Sequence, residues 1–422
     1  MRILSNDFGG YPYPVQLARE LARRGHTVRH THCASLTTTP GGATVARADD
    51  PPEFEACPLT LARPLEKYNF GRRFLQEREY GRLVAAEARA FRPDVVLSAN
   101  TPLDAQGMLL AETRRLGAGF VFWLQDLIGV AAERILRDKI PVAGRLVGAH
   151  YVAMEARQLR AADHVVAITD DFRPILRGWN VPDERVTTVE NWAPVEELPL
   201  AARGNAWARE TGLDRDFVFL YAGTLALKHN PEFLSDLAIR MQGRTVDGRR
   251  VRVVVLSQGP GADFLRDKAT GEPGDPGLDN LDVRGFKPFS EMPEAMAAAD
   301  VLVAVLEPDA GVFSVPSKVL AYLCGARPVL LAVPPENLAA RIVAREGAGL
   351  VVAPDDEAGF LDAAETLCAD GGLRERMGRN ARAYAEAAFP IAAITDRMEG
   401  VLWNACKGMP GGKASLGRTA RQ

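Results

Sequence analysis

Short apolar runs alternate with longer amphipathic stretches along the chain. Residues 2–5, 28–31, 94–98, 119–124 and 164–168 are rich in aliphatic, β-branched and aromatic side chains, and a helix-length segment separates each from the next. That alternation predicts βαβ units with parallel strands. The pattern lapses over 193–212, where prolines and charges break any apolar period, and then restarts with runs at 217–221, 251–256, 300–306, 328–333 and 349–352. The prediction is an α/β chain with two doubly wound sheets: an N-terminal domain over 1–192, a linker over 193–212 and a C-terminal domain over 213–388. A final segment, 389–406, carries an amphipathic helix from about Ile391 to Trp403 that comes too late to serve a strand of its own. Residues 407–422 offer almost nothing to bury and several breakers, and read as a disordered tail.

Length and composition agree with this division. A chain of 422 residues exceeds what one hydrophobic core usually organises. Its 47% apolar and 25% charged residues are those of an ordinary globular enzyme and exclude disordered and fibrous classes. The net charge of -3 gives no overall attraction to nucleic acid, so no nucleic-acid partner is expected. Cys33, Cys57, Cys324, Cys368 and Cys406 are odd in number and scattered without CxxC pairing, which predicts reduced thiols and no structural zinc. No apolar stretch reaches the ~18 residues of a membrane span. The start, Met1-Arg2-Ile3-Leu4, runs directly into a predicted strand without a signal-peptide pattern. A cytoplasmic protein is expected, at most peripheral to the inner face of the plasma membrane.

Four segments carry candidate chemistry. The first, Asn6-Asp7-Phe8-Gly9-Gly10, leaves the first strand for a helix predicted from about Pro14 to Gly25. Gly9 and Gly10 allow close backbone approach to a ligand, and the helix N-terminus offers unpaired N–H groups. A tight turn without a ligand is the alternative, and the missing GxGxxG pattern disfavours a dinucleotide redox site. The second, from Tyr221 through Gly223 and Thr224 to Lys228, puts a lysine at the end of a parallel strand, where the ligands of such sheets bind. Lys228 suits a phosphate there, or it simply faces solvent.

In the third segment, Ser314-Val315-Pro316-Ser317-Lys318, Pro316 and Ser317 mark a helix start. The Ser317 hydroxyl, nearby amides and the Lys318 ammonium can converge on an anion, or the lysine is solvated beside a capped helix. The fourth, Ser257-Gln258-Gly259-Pro260 with Phe286 further on, could accept a nucleobase, backbone groups reading its edge and Phe286 serving as an apolar wall.

Together these residues, with Phe122-Trp123-Leu124-Gln125-Asp126-Leu127 and Glu190-Asn191-Trp192, resemble the GT-B glycosyltransferases, and within them the retaining family 4 enzymes of the colanic-acid and O-antigen type, Ser-Lys subgroup. The resemblance spans about residues 1–405. It implies two Rossmann-like domains around a cleft. The second would hold a nucleotide-diphosphate sugar, and the first a glycan or lipid-linked acceptor beside Gly9, Gly10, Gln125 and Asp126. It also implies retention at the anomeric carbon and a final helix that crosses back to the first domain. Lys228 falls on the basic residue that contacts the donor diphosphate, and Ser317 and Lys318 fall beside the donor phosphate and sugar. Two departures stand out: Phe313 and Ala321 occupy positions where many members carry glutamates, and Gln125 replaces a histidine.

Cleavage of the anomeric bond builds negative charge on the diphosphate, which Lys228, Ser317 and Lys318 would stabilise without a metal or other cofactor. With the internal return that the family implies, the leaving phosphate takes the acceptor proton. Asp126 would orient a hydroxyl, or serve as a structural aspartate capping the next turn. His26, His30 and His32 cluster without a third metal ligand nearby and are set aside. Residues 63–92 carry eight basic and four acidic side chains, 8 - 4 = +4, with several aromatic ones, a surface suited either to anionic lipid head groups or to ordinary ion pairs. The competing functions are a nucleotide-sugar epimerase of the same plan, for which no acid/base set is evident, and an inactive nucleotide-sugar-binding protein.

Overall fold

A computed structural model of the chain describes residues 1–36, 46–66, 69–139, 142–225, 230–271, 277–306 and 315–407. Among these, residues from Met1 to Glu190 together with Ile391–Lys407 form one compact unit, and Asn191–Pro390 form another. The site residues Lys228 and Ser314, the altered position Phe313 and the tail 408–422 lie outside the described residues.

The first unit is built on a parallel sheet of β1 (Arg2–Asp7), β2 (Thr27–Cys33), β3 (Phe54–Leu59), β4 (Val95–Ala99), β5 (Gly119–Leu124), β6 (His164–Ala167) and β7 (Val186–Thr188). Its spatial order, β3-β2-β1-β4-β5-β6-β7, reverses direction between β1 and β4. The second unit has β8 (Phe217–Ala222), β9 (Thr245–Val246), β10 (Arg249–Leu256), β11 (Leu281–Arg284), β12 (Val301–Val305), β13 (Val329–Ala332) and β14 (Gly349–Val352). Here the order is β11-β10-β8-β12-β13-β14, reversing between β8 and β12, with β9 antiparallel on β10. Two doubly wound sheets are thus present. Ligands of such sheets bind outside the carboxyl ends of the strands, at the reversal.

Central strands are buried on both faces, as in β4, β5, β8 and β12, where every residue is buried. Continuous apolar runs fit that burial, because helices cover both sides of a parallel sheet. In the second unit Phe217, Phe219, Tyr221, Val253, Val255, Val303 and Leu330 pack against Leu234, Leu237, Phe360 and Leu367 of the covering helices.

The first helix runs Pro12–Arg23, two residues earlier than Pro14, since proline is tolerated in the opening turn. The last helix continues past Trp403 to Lys407 and covers the first sheet: Ala405 lies so close to Gly119 that a Cβ there would stand 2.8 Å from its carbonyl oxygen. Arg24 pairs with Asp396 at 2.6 Å and with Glu399 at 3.0 Å, and His26 Nε2 lies 2.8 Å from Glu399, fastening this helix beside β2. The stretch 193–212 contains the short helix Ala206–Glu210, with Trp207 buried and the Asn205 side chain donating to the Glu294 carbonyl at 2.8 Å.

Candidate active site

Gly9 and Gly10 follow β1 at the reversal of the first sheet. The buried Asp7 carboxylate gathers this turn, accepting from Tyr11 N at 2.6 Å and from Asn100 Nδ2 at 2.7 Å. Asn100 follows β4 with a left-handed φ of 50°. Its amide also donates to the Tyr13 hydroxyl at 3.3 Å, and that hydroxyl donates to Gln125 Oε1 at 2.9 Å. One polar chain therefore connects the ends of β1, β4 and β5. Burial pushes the Asp7 carboxyl up to about 7 against the pull of Asn100 and the turn amides. Tyr11 lies over Gly9, stacks on Tyr13 at 5.8 Å and stays 39% exposed, while Tyr13 meets Trp123 edge-on at 5.7 Å.

Asp126 follows Gln125 and is half-buried. The amides at the head of helix Ile128–Lys139 are taken by Glu155, whose two oxygens accept from Ile128 N and Gly129 N at 3.0 Å each. Glu155 thus does the capping that Asp126 offered as its structural alternative. Burial pushes the Glu155 carboxyl up to about 8, opposed by those two amides and assisted by the charge of Asp126.

In the second unit, Gly223 and Thr224 follow β8, and Ser257, Gln258 and Gly259 follow the neighbouring β10. Ser257 Oγ accepts from Leu225 N at 3.1 Å, joining the two turns. Gly259 precedes helix Pro260–Thr270. Phe286 is half-buried just beyond β11, where Ser257 N reaches the Arg284 carbonyl at 2.9 Å. Pro316 takes the cap position of helix Ser317–Cys324, and Ser317 is its exposed first residue. Lys318 Nζ lies 4.0 Å from the Tyr221 ring centre and donates to the Tyr221 hydroxyl. At Gly223, with φ 139°, a Cβ would stand 3.1 Å from Lys318 Cε.

The described residues thus place Gly223, Thr224, Ser257, Gln258, Gly259 and Lys318 along one sheet edge, and Gly9, Gly10, Gln125 and Asp126 along the other unit's edge. Sequence reasoning missed Tyr11, Tyr13, Asn100, Glu155 and Tyr322 as members of these edges. Tyr322 was legible in principle: it stands four residues after Lys318, on the same helix face. Among the described residues no group of three His, Cys, Asp or Glu side chains is placed to hold a metal ion. His30 Nδ1 instead lies 3.2 Å from Ser5 Oγ, and burial pushes its imidazole down to about 3.

Comparison with known proteins bears on both units. Residues 8–192 match the Glycosyl transferase 4-like domain, and residues 216–370 match Glycosyl transferases group 1. An alpha-D-kanosaminyltransferase from Streptomyces kanamyceticus is 26% identical over 260 residues, 58% of this chain and 62% of that protein. The chain therefore matches less than two thirds of that relative's length. Sucrose-phosphate synthase from Thermosynechococcus elongatus shares the fold at a TM-score of 0.70 and 17% identity, covering 95% of this chain and 98% of that one. HepE from Anabaena, solved with UDP and glucose, does so at 0.66 and 15%, covering 96% and 99%. With a 4-like domain followed by a group 1 domain and this fold across both, the chain belongs to the GT-B glycosyltransferases.

Proposed function

We propose that the chain moves a sugar from a nucleotide-diphosphate sugar to a glycan or lipid-linked acceptor with retention at the anomeric carbon, in the synthesis of a bacterial surface polysaccharide or glycoconjugate. The observation that carries this reading is Lys318 laid against the Gly223 turn, with the Ser257-Gln258-Gly259 turn alongside. A cation and free-ending strand turns at a sheet reversal suit a diphosphate whose charge grows as the anomeric bond breaks. Lys228, Ser314 and Ser317 would add to the same cradle, with Phe286 against the base.

The lysines supply the counter-charge, so the reaction as proposed needs neither a metal nor another cofactor. The leaving phosphate takes the acceptor proton, and Asp126 orients the acceptor hydroxyl beside Gly9, Gly10 and Gln125. UDP-glucose bound to HepE and the sugar transfer named for the Streptomyces relative support these donors as probes. UDP-, GDP- and ADP-sugars are therefore screened by thermal shift. At a free concentration about 100 times Kd the right donor adds about 2.7 kcal/mol to stability. No shift with any of them overturns the proposal.

A lipid-linked acceptor calls for a membrane surface. In helix Phe70–Phe91 and its approach, Arg72, Arg73 and Arg89 are already paired with Glu66, Glu77 and Glu112. Exposed Arg63, Arg82 and Arg92 and the exposed apolar Phe74 and Leu75 are the groups that would meet lipid. None of the described helices is long and apolar enough to cross a membrane. Flotation with phosphatidylglycerol vesicles at low salt, lost at high salt, is expected; no flotation removes the lipid-linked acceptor.

A further inference from the structure

The groups assigned to the donor phosphates come from two distant parts of the chain, Gly223 at the end of β8 and Lys318 at the head of helix Ser317–Cys324. Something must hold these parts at one spacing, since a cation misplaced by an ångström loses much of its effect on a developing charge.

The sheet itself does not do so. The last registered pair between β8 and β12 is Leu220 with Leu302, and although β12 runs on to Val305 it makes no registered pair with Ala222. On the other side Gly223 N still reaches the Leu256 carbonyl of β10 at 3.1 Å. The hydroxyl of Tyr322 enters the gap, accepting from Ala222 N at 2.8 Å and donating to Ala222 O at 3.1 Å. It is buried and satisfies with one side chain the Ala222 backbone groups that β12 leaves unpaired.

A second contact runs in the opposite direction. Tyr221, the neighbour of Ala222, presents its ring to the Lys318 ammonium at 4.0 Å and takes a hydrogen bond from it, while its own hydroxyl donates to the Thr224 carbonyl at 2.9 Å. The strand thus grips the helix through Tyr221, and the helix grips the strand through Tyr322. Lys318 and Tyr322, four residues apart, offer both contacts from one face.

We propose that Tyr221 and Tyr322 form a reciprocal latch that sets the spacing between the Gly223 turn and Lys318, and so act as positioning residues for the donor diphosphate. The inference rests on the reading of this edge as the donor site. Neither tyrosine needs to touch the sugar or the base, so the latch should matter to the phosphates alone.

Tyr322→Phe and Tyr221→Phe in the full chain test this. UDP, GDP and ADP are titrated calorimetrically, and uridine, guanosine and adenosine are followed by saturation-transfer NMR, with melting temperatures recorded in parallel. For the diphosphate that the unaltered chain binds, each variant is expected to weaken affinity about tenfold, the loss of one well-placed polar contact. The matching nucleoside should stay within about twofold. If Tyr322→Phe does not fold, Tyr221→Phe carries the test, because it keeps the ring beneath the ammonium and removes only the hydroxyl. Unchanged diphosphate affinity, or equal loss of diphosphate and nucleoside, overturns the latch. An unaltered chain that binds none of the three diphosphates overturns the donor reading beneath it, a result distinct from variants that bind as tightly as their parent.

Discussion

Asp7 and Glu155 are carboxyl groups with little access to water, each surrounded by backbone amides that would favour its charge. Desolvation outweighs those amides, so both hold a proton more tightly folded than unfolded. A carboxyl of this kind contributes stability that is complete below its unfolded pKa and lost as pH rises through the folded one. The window runs from 3.8 to about 7 for Asp7 and from 4.5 to about 8 for Glu155. The urea midpoint is therefore expected to fall between roughly pH 5 and 8, and to fall less steeply in Glu155→Gln. A profile that is flat or rises over that range contradicts the assignment.

At Gly223 the relevant property is backbone shape, for φ 139° is a conformation that side-chain-bearing residues rarely adopt, and Lys318 fills the space beside it. Gly223→Ala should cost about 1–3 kcal/mol and reduce donor binding more than Thr224→Ala does. Equal effects of the two on a donor thermal shift would remove Gly223 from the cradle.

Among the elements, every interior strand was readable, but of the four edge strands only β14 was. Gly349–Val352 and Gly119–Leu124 match their predicted limits, and the other predicted runs agree within a few residues. The missed strands β3, β7 and β11 sit at sheet edges, and β9 only flanks β10. Edges need no continuous apolar run: Phe54–Leu59 carries Glu55 and Pro58, and Leu281–Arg284 carries an ion pair between Asp282 and Arg284 at 2.6 Å. The site divides in the same way. Glycine turns and Lys318 form local motifs, whereas Asn100 meeting Asp7 and Tyr322 meeting Ala222 are pairings that topology alone creates. The contact of the last helix with β5 belongs to this second kind. Gly119→Ala would push a Cβ against helix backbone at Ala405, and a loss of about 1–3 kcal/mol is expected in chemical denaturation. A neutral result would mean that the helix shifts freely.

On the scale of the whole molecule, each unit owns a sheet and a core, so each can unfold on its own terms. Calorimetry should resolve two transitions, and the bound diphosphate should raise only that of the unit containing Gly223 and Lys318. A ligand that raises both equally would place part of the donor site in the other unit. The return of Ile391–Lys407 to the first sheet has a further consequence, for synthesis. The ribosome releases seven strands of the first unit and then all of Asn191–Pro390 before the helix that covers β5 emerges. The unit begun first is therefore finished last. During that interval the apolar face of β5 awaits its cover, making the nascent first unit a natural client for a chaperone.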